Sequence, residues 1–237
     1  MQVVNAIITA MEELKLCLHA HTRYSDGSGS HDHIGKAALK AGVDAVIVTD
    51  HNIWVREVEG YYQKGKKRAL LLVGEEVHDP TLSKGKNHLM IFNVNRELAK
   101  FSADPQRLIN QVISSNGLSF IAHPIDDPLP QFNEESFSWL DWDVNGYTGI
   151  ELWNQLSEFK TRSSTFSKAL FHALFPQYMT LGPLERTLKL WDELLAKSKA
   201  PVVAVAGNDA HANPVKAGAF SKVIFPYEFQ FRALNNH

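Results

Sequence analysis

Short apolar runs alternate with longer amphipathic stretches along this chain. The runs at Leu14–Ala20, Ala45–Thr49, Ala69–Val73, Leu89–Val94, Ser119–Ala122, Gly149–Leu152 and Pro201–Ala206, with Lys222–Phe225 late in the chain, are rich in valine, isoleucine and leucine. Such runs predict strands buried on both faces. Between them, His33–Ala41 predicts a helix that closes at Gly42, a residue suited to a C-terminal cap. Pro105–Ser115 predicts a second, closing at Asn116-Gly117. Leu184–Lys197 predicts a third, with Leu184, Leu188, Trp191, Leu194 and Leu195 at helical spacing. Alternation of strands and helices implies an α/β fold with a parallel sheet and helical crossovers. The segment from Asp126 to about residue 145 breaks the pattern with Pro128, Pro130, Phe132, Phe137, Trp139 and Trp142 among acidic residues. It reads as an inserted excursion, either over the site or as a surface loop with buried aromatics.

Composition narrows the class. The 237 residues are 44% hydrophobic, enough for one full core, so residues 1–237 are taken as a single domain. A formal net charge of -2 offers no basic field for a nucleic-acid duplex. The one cysteine, Cys17, lies in an apolar run and is expected in the core; it cannot form an internal disulfide. Met1–Ala10 has no basic n-region and is not read as a signal peptide, and no apolar run is long enough to span a membrane. A cytoplasmic enzyme is the expectation.

The eleven histidines change the picture by where they fall. The first strand ends in His19-Ala20-His21 and the second in Thr49-Asp50-His51. The third leads into Gly74-Glu75-Glu76, and the next begins at His88. Two more end in Ala122-His123-Pro124 and Gly207-Asn208-Asp209-Ala210-His211. Six strand edges each supply His, Asp or Glu, and in a parallel barrel the C-terminal strand ends converge on one face. Imidazole and carboxylate without thiolate suit zinc, manganese or iron. Residues i and i+2 of a strand share a face, so His19 and His21 can serve one ion, and Asp209 and His211 have the same spacing. A carboxylate such as Glu76 can bridge two ions, with a bridging hydroxide held beside it.

Taken together, His19-x-His21, Asp26 in Ser25-Asp26-Gly27, Thr49-Asp50-His51, Gly74-x-Glu76, His88, Ala122-His123-Pro124 and Asp209-x-His211 resemble the PHP (polymerase and histidinol phosphatase) family from about residue 14 to 225. The resemblance implies a distorted (β/α)7, TIM-like barrel holding two or three divalent ions. It implies one ion at His19, His21 and Asp209, a second at His88 and His123 with Glu76 bridging, and a third at Asp26, His51 and His211. Many members carry histidine where this chain has Asp26, which puts a harder oxygen ligand at the third position. Asp50-His51-Asn52, Asn87-His88 and Glu151-Leu152-Trp153-Asn154 more loosely resemble the CehA/McbA metallohydrolase branch.

The leading expectation is hydrolysis of a small phosphoester, such as a nucleotide or sugar phosphate. Arg23, Lys84, Lys86 and Arg162 are the candidate phosphate contacts, and Trp153 and Asn154 further substrate contacts. Asp50 is expected to support a ligating histidine by a hydrogen bond. An amide or carbamate hydrolase with an apolar pocket from Trp54, Trp153 and the excursion is the alternative, and a non-catalytic, metal-stabilised module is the third. His31-x-His33 enters a helix, where i and i+2 do not share a face, and is set aside with His78 and His172. Glu75 is read as supporting or sheet-side. Lys64-Gly65-Lys66-Lys67-Arg68 is read as a solvated run at a helix end.

Overall fold

Short links set two of the antiparallel strand pairs in this protein. The computed structural model describes residues 13–82, 86–132, 134–175, 178, 180–217 and 220–234. One sheet contains β1 (Leu16–Cys17), β2 (Ala45–Val48), β3 (Gly60–Lys64) and β4 (Lys67–Val73), in the order β1-β2-β4-β3. A second contains β5 (Glu75–Asp79), β6 (Lys86–Phe92), β7 (Leu118–Ile121), β8 (Gly149–Asn154) and β9 (Val203–Gly207), side by side in that order. A hairpin of β10 (Pro214–Ala217) and β11 (Phe220–Val223) follows. Pairs β1–β2, β2–β4, β7–β8 and β8–β9 are parallel. Pairs β3–β4, β5–β6 and β6–β7 are antiparallel, so the sheets are mixed rather than wholly parallel. The link from β5 to β6, residues 80–85, is too short for the crossover a parallel pair needs. The basic run at Lys64–Arg68 is a hairpin turn between β3 and β4, with Gly65 at φ 61, and not a helix end.

Two single-residue parallel bridges, His51↔Glu76 and Ala20↔Ala210, join the sheets. Backbone bonds flank them: Gly74 N donates to Val48 O at 2.7 Å, Glu76 N to Asp50 O at 3.2 Å and His21 N to Ala210 O at 2.9 Å. The residues in and beside these bridges are those the sequence marked for metal.

The helices cover the outer faces. In α1 (His31–Ala41), Ser30 caps the start and Gly42, at φ 79, donates its N–H to Ala38 O at 3.0 Å. The helix packs with α6 (Tyr227–Leu234) over the first sheet, through Ile34, Ala38, Val46, Leu71, Tyr227 and Phe231. Over the second sheet lie α2 (Pro105–Ser114), capped by Asp104, and α5 (Glu185–Lys197), around Leu108, Ile109, Ile121, Ile150 and Trp191. Each full burial of such a side chain contributes about 1.5–3 kcal/mol. Two helices, α3 (Gln155–Arg162) and α4 (Phe166–Leu174), follow β8. An inner cluster of Met90, Phe92, Phe120 and Ala122, with Leu18, Ile47 and Val205 against it, comes from alternate positions of the strands or residues beside them. No helix among the described residues is long and apolar enough to cross a membrane.

Candidate metal centre

Glu76 is the second residue of β5, and pairing with β6 turns its fully buried side chain inward. A lone carboxylate there would be costly. Both of its oxygens instead face imidazoles. Oε2 lies 3.0 Å from His19 Nε2, 3.1 Å from His21 Nε2 and 3.2 Å from His51 Nδ1. Oε1 lies 2.8 Å from His88 Nδ1 and 3.1 Å from His123 Nε2. On the far side, Asp209 Oδ1 lies 3.2 Å from His21 Nε2 and 3.5 Å from both His19 Nε2 and His211 Nδ1. Asp26, more exposed, places Oδ1 3.1 Å from His211 Nε2 and Oδ2 3.5 Å from His51 Nε2. The nine residues marked in the sequence therefore share one centre.

The backbone bends sharply where these side chains leave their strands. His123, Asp209 and Asn52, which follows His51, have φ of 27, 55 and 55, values that L-residues rarely adopt. Such conformations cluster at sites where side-chain placement outweighs local strain.

Electrostatics follow from the geometry. Burial opposes ionisation of Glu76 and Asp209, yet the surrounding histidines hold both well below the usual carboxylate range. Burial also opposes charging of His123, but Glu76, Asp209 and Glu151 outweigh it and hold this imidazole up at about 9. For His88 burial wins and takes it down to about 3. The donor set fits divalent ions on three counts. His21 Nε2, His51 Nδ1 and His123 Nδ1 are buried without a hydrogen-bond partner. Four groups of ligand atoms lie within 4.8 Å of one another: His21, Asp26, His51 and His211; His19, His21 and Glu76; Glu76, His88 and His123; and His51, His78 and His88. Imidazole and carboxylate are the donors throughout.

Glu151, a residue the strand-edge reading passed over, orients the centre. It sits in β8 with its side chain buried. Its Oε1 accepts from His19 Nδ1 at 2.9 Å, and its Oε2 accepts from His123 N at 2.8 Å and Asn154 Nδ2 at 2.9 Å. Gly207 makes room for it: a Cβ there would stand 2.0 Å from Glu151 Oε1. His78, set aside as ordinary, joins the cluster, its ring stacked on His88 at 4.6 Å. The available signal was spacing, since His78 is two residues past Glu76 on one strand. Tyr227 ties three loops together. Its hydroxyl accepts from Gly29 N at 3.0 Å and lies 2.7 Å from His21 O and 2.9 Å from His211 O.

Other candidates fall elsewhere. Asp50 does not hydrogen-bond a clustered histidine; it accepts from Thr22 N and Thr22 Oγ1, each at 2.7 Å, and from Ser25 Oγ at 2.8 Å, fixing the loop that carries Asp26. It points away from His51, as strand alternation requires. Glu75 also turns away, accepting from Leu98 N at 2.9 Å, and burial pushes it up to about 7. Arg23 is exposed and does not line the cavity beside the centre. Lys86 donates to Ser136 O, and Arg162 donates to Glu158 Oε1 at 2.7 Å. Trp153 is buried and donates to Glu158 Oε2 at 2.8 Å, while Asn154 caps α3 and stays at the edge of the centre, its Nδ2 donating to Asp209 Oδ2 at 3.3 Å. Lys84 lies outside the described residues. Cys17 is buried as expected, which pushes its thiol up to about 12.

The excursion packs down on both of its arms. Trp139 is buried in the core of the second sheet, and Asn87 Oδ1 accepts from Leu140 N at 2.8 Å. Phe132 and Phe137 line a cavity of about 570 Å³ that opens beside His51, His88, His123, Asp209 and His211. Trp54 packs with the first sheet instead.

Known proteins resemble part of this sequence and its fold. The family model described as "PHP domain" matches residues 18–121. A two-domain protein from Bacteroides vulgatus, described as containing a predicted PHP-like metal-dependent phosphoesterase, is similar in fold, with TM-score 0.50 and 16% identity over 84% of this chain. This chain spans 52% of that structure's length. A Bifidobacterium adolescentis protein described as "a putative metal-dependent phosphoesterase" aligns with TM-score 0.49 and 14% identity, over 89% of this chain and 93% of its own. No curated protein matches the chain.

Proposed function

We propose that this chain, whose residues 18–121 match the PHP-domain family model, is a PHP-type metal-dependent phosphoesterase whose centre holds two to three divalent ions. The observation that carries the reading is Glu76, a buried carboxylate with each oxygen turned to a different set of imidazoles. His19, His21 and Asp209 would hold one ion, His88 and His123 a second with Glu76 shared, and Asp26, His51 and His211 a third. His21 also stands within the last group. Ions bound there would supply Lewis acidity toward a phosphoryl oxygen and would acidify water.

The chain's own part is orientation. Glu151 holds the His19 proton at Nδ1, which leaves the Nε2 lone pair facing Glu76 and Asp209. The backbone carbonyl of Asp209 does the same for His211, leaving Nε2 toward Asp26. Among the described residues, Lys86 donates to Ser136 O, Arg162 donates to Glu158 Oε1 and Arg23 does not line the cavity, so charge balance at phosphate would fall to the ions. The fold that accompanies this reading is a distorted seven-stranded barrel. The bridges His51↔Glu76 and Ala20↔Ala210 support it, with β4 and β5, separated by Gly74 alone, taken as one bent strand.

Elemental analysis of purified, unchelated protein, with an aryl phosphate assay on the same sample, tests the proposal. Two to three equivalents per chain with phosphate release are expected, and fully metallated His123→Ala is expected to lose turnover. Less than one equivalent, not restored by zinc, manganese or iron, would overturn it.

A further inference from the structure

The cavity beside the centre differs in character from the centre itself. Its volume of about 570 Å³ lies within the roughly 300–1,000 Å³ of pockets that enclose small organic ligands. Away from the histidines its wall is built by Phe132 and Phe137 of the excursion, Leu156 and Phe159 of α3, and Phe166 and Leu170 of α4. Phe166 and Leu170 are 67% and 51% exposed, so this wall presents apolar surface that an apolar ligand would remove from water.

The buried charged pair on the wall, Lys160 and Asp126, is already engaged, while Gln230 Oε1 is buried there without a hydrogen-bond partner. Lys160 is the one lysine or arginine among the described lining residues. It donates to Asp126 Oδ2 at 2.5 Å and to Glu135 O at 2.8 Å. Asp126 also accepts from Ser157 Oγ at 2.7 Å and Phe137 N at 2.9 Å. A sugar or nucleoside placed here would lose hydration of its hydroxyls and ring edges and regain few hydrogen bonds.

We infer that the substrate is a phosphoester of an apolar alcohol, alkyl or arylalkyl, with its carbon chain in this cavity and its phosphoryl group at the histidine cluster. The inference rests on the phosphoesterase reading and replaces the sugar or nucleotide expected from the sequence. In the reaction the oxygen of one water bonds to phosphorus, the ester P–O bond breaks, and the departing alcohol oxygen takes up a proton, giving inorganic phosphate and the free alcohol.

The test compares hexyl phosphate and 2-phenylethyl phosphate with glucose 6-phosphate on the metal-loaded protein. All three are monoesters of primary alcohols, so differences report the pocket rather than the leaving group. The apolar esters are expected to exceed glucose 6-phosphate about 30-fold or more in kcat/KM, and Leu170→Ser is expected to narrow that ratio about tenfold. Calorimetric affinity for non-hydrolysable alkyl phosphonates is expected to rise about fourfold per methylene from methyl to hexyl. Equal or better turnover of glucose 6-phosphate, or a flat phosphonate series, would overturn this inference and leave the phosphoesterase reading standing. Failure to hydrolyse any phosphoester with metals loaded would overturn that reading and this one with it.

Discussion

Glu76 and Glu151 divide the work of the centre between them. One faces five imidazole nitrogens; the other fixes the His19 tautomer and the His123 backbone. Removing the Glu76 charge by Glu76→Gln is expected to cost at least one metal equivalent and about 100-fold or more in turnover, read by elemental analysis and kinetics together. Glu151→Gln touches no proposed ion and is expected to weaken metal affinity about 10–100-fold. Gly207→Ala should reproduce that loss, because its Cβ would displace the Glu151 carboxylate. Metal titration of both variants checks the pair; normal affinity in both would remove Glu151 from this role. Protons compete with metal at the same nitrogens. With His123 held up at about 9 by its carboxylate neighbours, its proton must leave before an ion binds. Affinity should therefore climb as pH rises toward 9 and fall as pH drops, and calorimetry in buffers of different ionisation enthalpy should detect proton release.

At the scale of elements, helix ends behaved as their residues dictate. Gly42 is in the left-handed region and Asp104 accepts from Arg107 N at 2.9 Å. Gly42→Ala and Asp104→Ala should each destabilise the fold by about 1 kcal/mol in urea titration, with metal content unaltered. The strand β5 was not visible beforehand because Glu75-Glu76-Val77-His78-Asp79 has almost no apolar residues; its ladder to β6 and the charge network behind it substitute for a hydrophobic pattern. That omission also hid His78. Helices α3 and α4 went unread for a related reason: α3 buries polar residues such as Ser157, Glu158 and Lys160, and α4 leaves Phe166, Leu170 and Leu174 exposed. Neither follows the rule that apolar residues mark the buried face.

For the whole molecule, the proposed centre would act as a staple once it holds metal. It draws on residues at both bridges that join the sheets, so an ion there crosses from one sheet to the other. Ions at 1,000 times their dissociation constant would add about 4 kcal/mol to stability. For a chain of this size that is a rise in Tm of about 10 °C. Chelation should lower Tm by that amount and metal should restore it; an unchanged Tm in protein shown to bind metal would argue against ligation across the bridges.

What the sequence by itself determined is which histidines and acids stand at the ends of the central strands, and so the candidate ligands of the proposed centre. Those strands are continuous apolar runs, and histidine or acid placed at a run's end is a local pattern that survives without knowledge of the fold. Only the tertiary structure decided how the residues divide. It turned Asp50 and Glu75 away, brought in Glu151 and His78, and engaged Lys86 and Arg162, which sequence reasoning had offered to phosphate. It also assembled the apolar cavity from three segments, the excursion, α3 and α4, whose separate patterns say nothing of a shared wall. A side chain's residue type sets what it can bind, but its partners depend on strand register and on loops far away in the chain.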